Sequence, residues 1–379
     1  GGAQTLDDIL ARQRGEKVDD SFRRDATGGD DAAGMAGQLG TLGGASDAEV
    51  WRALRYGLDD VKVSAGGPEA RVLIQDRGMW WLQFRTGTVA EIGGYAILGV
   101  LVLLMAFYAI KGKQRVAAGM SGRTVLRHTA FSRFSHWLLA SSFLALAVTG
   151  LVVLFGRSGL IPWMGPEAYA TLALGSKWVH NNVGFAFMLS LVFIFVVWAW
   201  DNIPDRYDIG WILKGGGMIG GGHPSSAKFN AGEKIVFWST IVLGALISLT
   251  GLSLIFPFEL PMFASIFGFL NGTGLPETVG LSALPAQLAP HEEMQFAQLS
   301  HMILAFVMMV IIMGHIFMGA FWIEGALDGM ISGEVDENWA WEHHDMWAKK
   351  LEEDGTISPG SDPHDHGGGH GARAAQPAE

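Results

Sequence analysis

The chain has 379 residues, 49% of them hydrophobic, and a mean hydropathy of +0.27, which suits a membrane protein with polar ends better than a soluble one. Its formal net charge of -11 sits mostly in the ends and loops, and no basic domain or stripe is present, which disfavours a nucleic-acid partner. It contains no cysteine, which excludes thiolate-held iron–sulfur clusters, disulfides and c-type haem attachment in this chain and assigns any such centre to a partner.

Gly1 opens a polar stretch without an initiator Met, as expected of a processed or trimmed N-terminus. Residues 1–88 are polar, Gly-rich and mixed in charge. A short helix is expected over 47–56 and a strand over 71–75, with no core large enough for an independent domain. Five apolar runs of spanning length follow, at 92–110, 134–155, 177–200, 235–256 and 297–322. The apolar stretch 258–270 is short and broken by Pro261, so an interfacial segment is expected there rather than a sixth span.

Basic residues orient the spans. The first loop carries Lys111, Lys113, Arg115, Arg123, Arg127 and Arg133; the third carries Arg206, Lys214 and Lys228, with Lys234 beside it. The second holds Arg157, with Lys177 at its edge, whereas the fourth, 257–295, has none and carries Glu259, Glu277, Glu292 and Glu293. Positive loops face the cytoplasm, so the N-terminal segment is expected outside and the C-terminal tail inside. The Trp-rich segment 339–347, with His343 and His344, is expected to form an amphipathic helix on the inner membrane surface. The Gly/Pro tail from about 355 is expected to be disordered, its His364, His366 and His370 open to adventitious metal. Asp201, Glu324 and Asp328 border the inner face and are read as solvated helix ends ahead of proton relays.

The fifth run carries His301 and His315, fourteen residues apart. At about 100° per residue that spacing returns to nearly one helix face, and at 1.5 Å rise it covers about 21 Å of a hydrocarbon layer roughly 30 Å thick. The second and third runs each carry one histidine near an end, His136 and His180. Orientation then sets depth: His136 and His315 lie toward the cytoplasm, His180 and His301 toward the outside. These are the depth-matched pairs, and each can hold one haem iron from both sides. Ionisable groups inside spans are expensive and usually functional, which weighs against four histidines that only bridge helices. A bis-histidine iron has no open position, so electron transfer is expected rather than oxygen chemistry. Gly150, fourteen residues after His136, falls on its face at the depth of the other pair and leaves room for a macrocycle; Gly184, one turn beyond His180, is read as a helix-packing glycine. Ser132 and Ser300 are the nearby candidates to hydrogen-bond the second ring nitrogens. His128, His223 and His291 lie in loops without a depth partner.

From about Phe131 to Trp347 the chain resembles the cytochrome b (gamma) subunit of membrane-bound formate dehydrogenases. The resemblance rests on Arg133, His136 and Trp137; His180 and Gly184; and the loop Asn202-Ile203-Pro204-Asp205 with Asp208, Ile209 and Trp211. It continues through Lys228-Phe229-Asn230-Ala231-Gly232, Phe237-Trp238-Ser239, His301, His315, Met318, Phe321-Trp322, Gly329-Met330-Ile331 and His343-His344. Histidine pairs alone are shared with hydrogenase cytochrome b subunits; the two loop motifs favour the formate dehydrogenase branch. The fold so implied is an all-α integral membrane protein, a four-helix dihaem cytochrome b bundle over 131–325 with one extra N-terminal transmembrane helix over 89–111. Residues 1–88 would be a periplasmic segment and 326–379 a cytoplasmic one, in a bacterial inner membrane. The resemblance implies two haem b groups, with His136 and His315 on the inner iron and His180 and His301 on the outer one. It also implies an iron–sulfur beta subunit, a molybdenum or tungsten alpha subunit that oxidises formate, and menaquinone or ubiquinone reduced on the cytoplasmic side.

The family's quinone site maps onto Asn230, Gly232, Met318 and Trp322, beside His315. Asn230 reads equally well as the cap of a helix starting near Glu233. One departure concerns Trp322: the chain has one more residue between Met318 and Trp322 than the family pattern, which makes Gly319 or Ala320 alternative pocket residues. Other readings are the dihaem cytochrome b of a hydrogenase or another quinone-linked oxidoreductase, a non-redox membrane carrier, and a structural anchor. A carrier predicts inverted repeats and broken midplane helices, and neither is evident in the sequence.

Overall fold

The computed structural model describes residues 6–16, 56, 80–217 and 224–357. The expected strand over 71–75 lies outside the described residues, as do the expected helix over 47–56 apart from Tyr56, His223, and the tail from 358 onward. The chain divides into two compact units, Gly1–Trp81 and Leu82–Glu379. In the first, helix α1 (Leu6–Gln13) ends where the Tyr56 hydroxyl donates to the Gln13 carbonyl at 2.7 Å.

The second unit is built on long apolar helices. Among the described residues five are long and apolar enough to cross a membrane: Trp80–Lys111, Ala130–Gly159, Ile161–Trp198, Ala231–Ile255 and Pro290–Trp322. The first contains a π-helical turn, Phe84–Val89, before α2 (Ala90–Lys111). It starts twelve residues before the apolar run at 92, because Arg85 and Glu91 interrupt the hydropathy without interrupting the helix. Helix α3 (Ala130–Gly159) begins at Thr129, whose hydroxyl accepts the Ser132 N–H, and is followed after Leu160 by α4 (Ile161–Trp198). The second loop is thus mostly helix. Gly165, at φ 80°, and Pro166 break α4 near its start, a left-handed position that only glycine takes without strain. After the short α5 (Arg206–Leu213), α6 (Ala231–Ile255) begins at Asn230.

The stretch around Pro261 forms α7 (Phe263–Gly272), ten residues and hence about 15 Å, too short to span. Helix α8 (Leu275–Thr278) is a single turn. Helix α9 (Pro290–Ile316) has Pro at its first position and runs into a second π-helical turn, Phe317–Trp322.

Packing joins α3 to α4 and α6 to α9; the two pairs meet through α4 and α6, and α2 lies against α9. Small residues allow the close approaches. Ser135 and Ser190 are fully buried, and each donates to a carbonyl of its own helix, Phe131 and Phe187, at 2.8 Å. A Cβ on Gly93 of α2 would overlap the Phe306 ring of α9. Large apolar side chains such as Leu98, Leu103, Val148 and Val196 point outward, the reverse of a soluble bundle and the surface a lipid solvent requires.

The end of the bundle that carries His136 is closed by a small folded cap. Strands β1 (Thr124–Leu126) and β2 (Glu334–Asp336) pair antiparallel across more than 200 residues of sequence. Helices α10 (Asp328–Ile331), α11 (Glu337–His343) and α12 (Asp345–Glu353) complete it. Trp339 and Trp341 pack there with Val116, Val125, Val335, Ala348 and Ile357. This corrects the expected surface helix over 339–347: Trp339 and Trp341 are buried with residues of the first loop, a long-range contact that local amphipathicity does not reveal. Glu324, read as a solvated helix end, accepts the Val116 N–H at 3.2 Å. Asp201 is ion-paired with Lys228 at 3.1 Å.

Candidate functional site

The four span histidines form two pairs. His136 of α3 faces His315 of α9 with ring centres 6.3 Å apart, and His180 of α4 faces His301 of α9 at 6.2 Å. The interplanar angles, 64° and 65°, are nearly the same, so one arrangement occurs twice along α9. A metal–imidazole bond of about 2 Å and roughly 1.2 Å from ring nitrogen to ring centre, taken on both sides, separate two rings on one metal by about 6.4 Å. Both pairs have that spacing, so the residues fit a bis-imidazole iron. Among the described residues no three His, Asp or Glu side chains gather as a metal site.

Hydrogen bonds orient the His180 pair. His180 Nδ1 lies 3.0 Å from Thr149 Oγ1, and His301 Nδ1 lies 3.0 Å from Thr250 Oγ1. Each hydroxyl spends its own hydrogen on its helix, Thr149 on the Ala145 carbonyl at 2.7 Å and Thr250 on the Ile247 carbonyl at 2.9 Å. The threonines therefore accept from Nδ1–H, which leaves the Nε2 lone pairs as ligands. The expected partners do not serve: Ser300 donates to the Phe296 carbonyl at 2.7 Å, and Ser132 Oγ is buried without a partner among the described residues. A serine inside an apolar helix reaches its own i−4 carbonyl more easily than a neighbouring ring.

Beside each threonine stands a glycine. A Cβ on Gly150 would lie 3.3 Å from His180 Cε1, and one on Gly251 would lie 3.3 Å from His301 Cε1. Gly150, Gly184, Gly251 and both rings line a cavity of ≈ 470 Å³, mostly apolar, in the range of small-molecule and cofactor sites. Thr149, Thr250 and Gly251 escaped the sequence reading. The signal was present: Thr149-Gly150-Leu151 in the second span recurs as Thr250-Gly251-Leu252 in the fourth.

The His136 pair has different surroundings. His136 Nδ1 is buried without a partner among the described residues, and its ring lies 6.2 Å from the Trp198 ring. Trp198 also packs on His128, a loop histidine just before α3 that is almost fully buried. Burial pushes the His128 pKa down to about 3, with Arg127 and Lys228 adding to the effect. Arg127 Nη2 reaches Glu233 at 2.9 Å, and buried Lys234 pairs with Asp205 at 2.9 Å and Asp208 at 3.0 Å. Burial alone would raise the Asp205 pKa, but the Lys234 ammonium and the Tyr207 N–H outweigh it and hold the carboxyl below its usual range. His344 is fully buried, its Nδ1 2.8 Å from the Ala227 carbonyl; burial first, then Arg127, hold its pKa well below the usual histidine value.

The residues read as a quinone site fall into two neighbourhoods. Asn230 Oδ1 accepts the Glu233 N–H at 3.0 Å while Glu233 accepts the Asn230 N–H at 2.9 Å, a reciprocal helix cap. A Cβ on Gly232 would come within 2.8 Å of the Trp211 ring. Met318 and Trp322 lie in the π turn after His315, with Trp322 buried edge-on against Phe107 at 5.1 Å. A π turn accommodates one residue more than an α turn, which accounts for the extra residue between Met318 and Trp322.

Residues 127–333 match the family described as prokaryotic cytochrome b561. The chain belongs to that family. It is a multi-pass membrane cytochrome b, and the family implies haem b as its cofactor. Among curated relatives, the nitrate-inducible formate dehydrogenase cytochrome b556(Fdn) subunit of Escherichia coli K12 is 27% identical over 61% of this chain and 93% of its own length. The cytochrome b556(fdo) subunit of the same strain is 27% identical over 60% and 93%. The formate dehydrogenase cytochrome b556 subunit of Haemophilus influenzae is 27% identical over 61% and 87%. Within this cytochrome b, α2 lies outside the residues that match the family, and the four histidine-bearing or histidine-facing spans lie inside or largely inside them.

Proposed function

We propose that this cytochrome b is the electron-transfer subunit of a respiratory formate dehydrogenase, with two haem b groups, one between His180 and His301 and one between His136 and His315. The observation that carries the reading is the repeated pair of facing imidazoles at bis-ligand spacing, about 21 Å apart along α9. A six-coordinate bis-imidazole haem supplies one-electron transfer and offers no position for oxygen. The chain's own part is to hold the rings, keep the Nε2 atoms turned inward and exclude water from the His180 cavity. The basic loops favour a cytoplasmic His136 end and an outer His180 end. Electrons would enter at the His180 end from an iron–sulfur beta subunit served by a molybdenum or tungsten alpha subunit. Formate oxidation then resides on a partner, as the absence of cysteine here requires for the iron–sulfur relay.

Quinone would be reduced at the His136 end, with Met318 and Trp322 in the turn that follows His315 and Asn230 and Gly232 at the start of α6. The Asn230 oxygen caps α6, and among the described residues its amide N–H₂ has no hydrogen bond and would be open to a quinone carbonyl. The names of the relatives favour formate over hydrogen as the electron source. Formate added to anaerobic membranes containing the chain and its partner subunits should reduce the b-type absorbance, and His180→Ala should abolish that reduction while dithionite still reduces the remaining haem. Reduction by hydrogen and not by formate would move the chain to a hydrogenase.

A further inference from the structure

The four spans that carry or face the histidines are built in steps of seven residues. On α9 the steps are His301, Met308 and His315; on α3 they are His136, Phe143 and Gly150. On α4 they are His180, Phe187 and Ile194, and on α6 Phe237, Gly244 and Gly251. Seven residues make nearly two turns, drift by about 20° and rise about 10.5 Å, so each set stays close to one helix face. The outer members are in register, since Gly150 stands against His180 and Gly251 against His301. One step inward, Phe143, Phe187, Gly244 and Met308 share a level midway between the two histidine pairs.

The contacts agree with that register. The Phe143 and Phe187 ring centres lie 6.5 Å apart. A Cβ on Gly244 would lie 3.5 Å from the tip of the Phe187 ring, so the glycine makes room for that ring against α6. Phe187 and Met308 are each 2% exposed, which closes the level. Phe143, Phe187 and Met308 line the inner end of the His180 cavity, and no member of the His136 and His315 level lines it. The level also offers water no partner. Ser142 and Ser190 beside it donate to the Leu139 and Phe187 carbonyls of their own helices at 3.0 and 2.8 Å. The buried side-chain polar atoms that lack a partner among the described residues all belong to the His136 end. A buried water needs two or more polar partners to stay.

We infer that Phe143, Phe187 and Met308 form a dry partition between the two haems, filling the interval an electron must cross and giving water and protons no way past. This inference rests on the dihaem reading above. The step across the partition moves one electron, oxidising the iron held by His180 and His301 and reducing the iron held by His136 and His315. No bond is made or broken and no proton moves, so charge crosses this level as the electron alone. Electron tunnelling weakens steeply with distance, and more steeply across a void than through packed atoms. Two aromatic rings and a polarizable thioether keep the interval filled.

Two measurements test the partition. The chain has no cysteine, so Met308→Cys introduces its only thiol. In folded, haem-loaded protein that thiol should resist a charged thiosulfonate reagent added from either side of the membrane, and react fully after unfolding. The second measurement is rapid reduction by formate of quinone-depleted membranes containing the partner subunits, followed at the b-type absorbance. The haem at His180 should be reduced first and the haem at His136 second; His136→Ala, which retains only the first phase, identifies it. Met308→Ala and Phe187→Ala should slow the second phase several-fold with haem content and both midpoint potentials unchanged, and Met308→Leu should keep the wild-type rate. Should Phe187→Ala protein fail to accumulate, Met308→Ala carries the same expectation. Rapid labelling of Met308→Cys in folded protein, or an unslowed second phase in Met308→Ala, would overturn the inference and leave the dihaem reading standing. Wild-type protein without two haems would overturn both.

Discussion

The two ends of the bundle hold the same histidine geometry in unlike settings. At the His180 end both rings donate to threonines, both face a glycine, and the cavity is largely apolar. At the His136 end, His136 Nδ1 is buried without a partner among the described residues, and a cap with buried ion pairs and buried histidines stands over the pair. The contrast teaches how one ligand motif is used twice. Under the proposed function, the His180 end, with its rings fixed from behind in a largely apolar cavity, would serve as the electron relay. The His136 end, beneath polar loops, would be the one that meets quinone.

The largest test of that contrast is to fill one cavity. Gly150→Leu puts a branched side chain where even a Cβ already touches His180, and should abolish the haem at that end while the His136 end keeps its own, giving half the haem per chain. Loss of both haems in well-folded protein would mean that the two sites are not independent. A smaller effect is expected from the threonines. Thr149→Val and Thr250→Val keep the shape and remove the acceptor, which should weaken haem retention at that end about tenfold. Ser132→Ala and Ser300→Ala should leave retention unchanged, because neither hydroxyl reaches a ring. Haem-dissociation rates measured on the four variants distinguish the cases.

The smallest effect concerns the cap. His128 has a folded pKa of about 3 against 6.5 unfolded, facing Arg127, Lys228 and Glu233. Because the folded value is the lower one, the unfolded chain binds the proton first as pH falls below 6.5. Stability is therefore complete above that value and declines toward pH 3, by at most about 1.4 kcal/mol per pH unit from this group. His128→Leu should flatten the acid limb of thermal unfolding measured between about pH 7 and pH 4. An unchanged limb would remove His128 as its source.

The spans and the histidine pairs were legible because they depend on short-range periodicity. An apolar run of spanning length needs no partner to be recognised, and fourteen residues on a helix return to one face whatever surrounds it. Thr149 and Thr250 were not legible by the same route: only the recurrence of Thr-Gly-Leu marks them, and the role of the hydroxyl is set when another helix brings a ring to it. The cap was hidden for a related reason: β1 and β2 are three residues each, and their pairing joins the first loop to the far end of the chain. Asn230 shows the opposite case, where the capping pattern Asn230–Glu233 was readable and its local role is the one the structure displays.

The most direct measurement is a reduced-minus-oxidised optical spectrum with haem quantitation on purified protein, beside His136→Ala and His180→Ala. Two b-type haems per chain, with each variant losing a different one, is the result expected of two separate bis-histidine sites. One haem, or none, in well-folded wild-type protein would contradict the assignment of the four histidines.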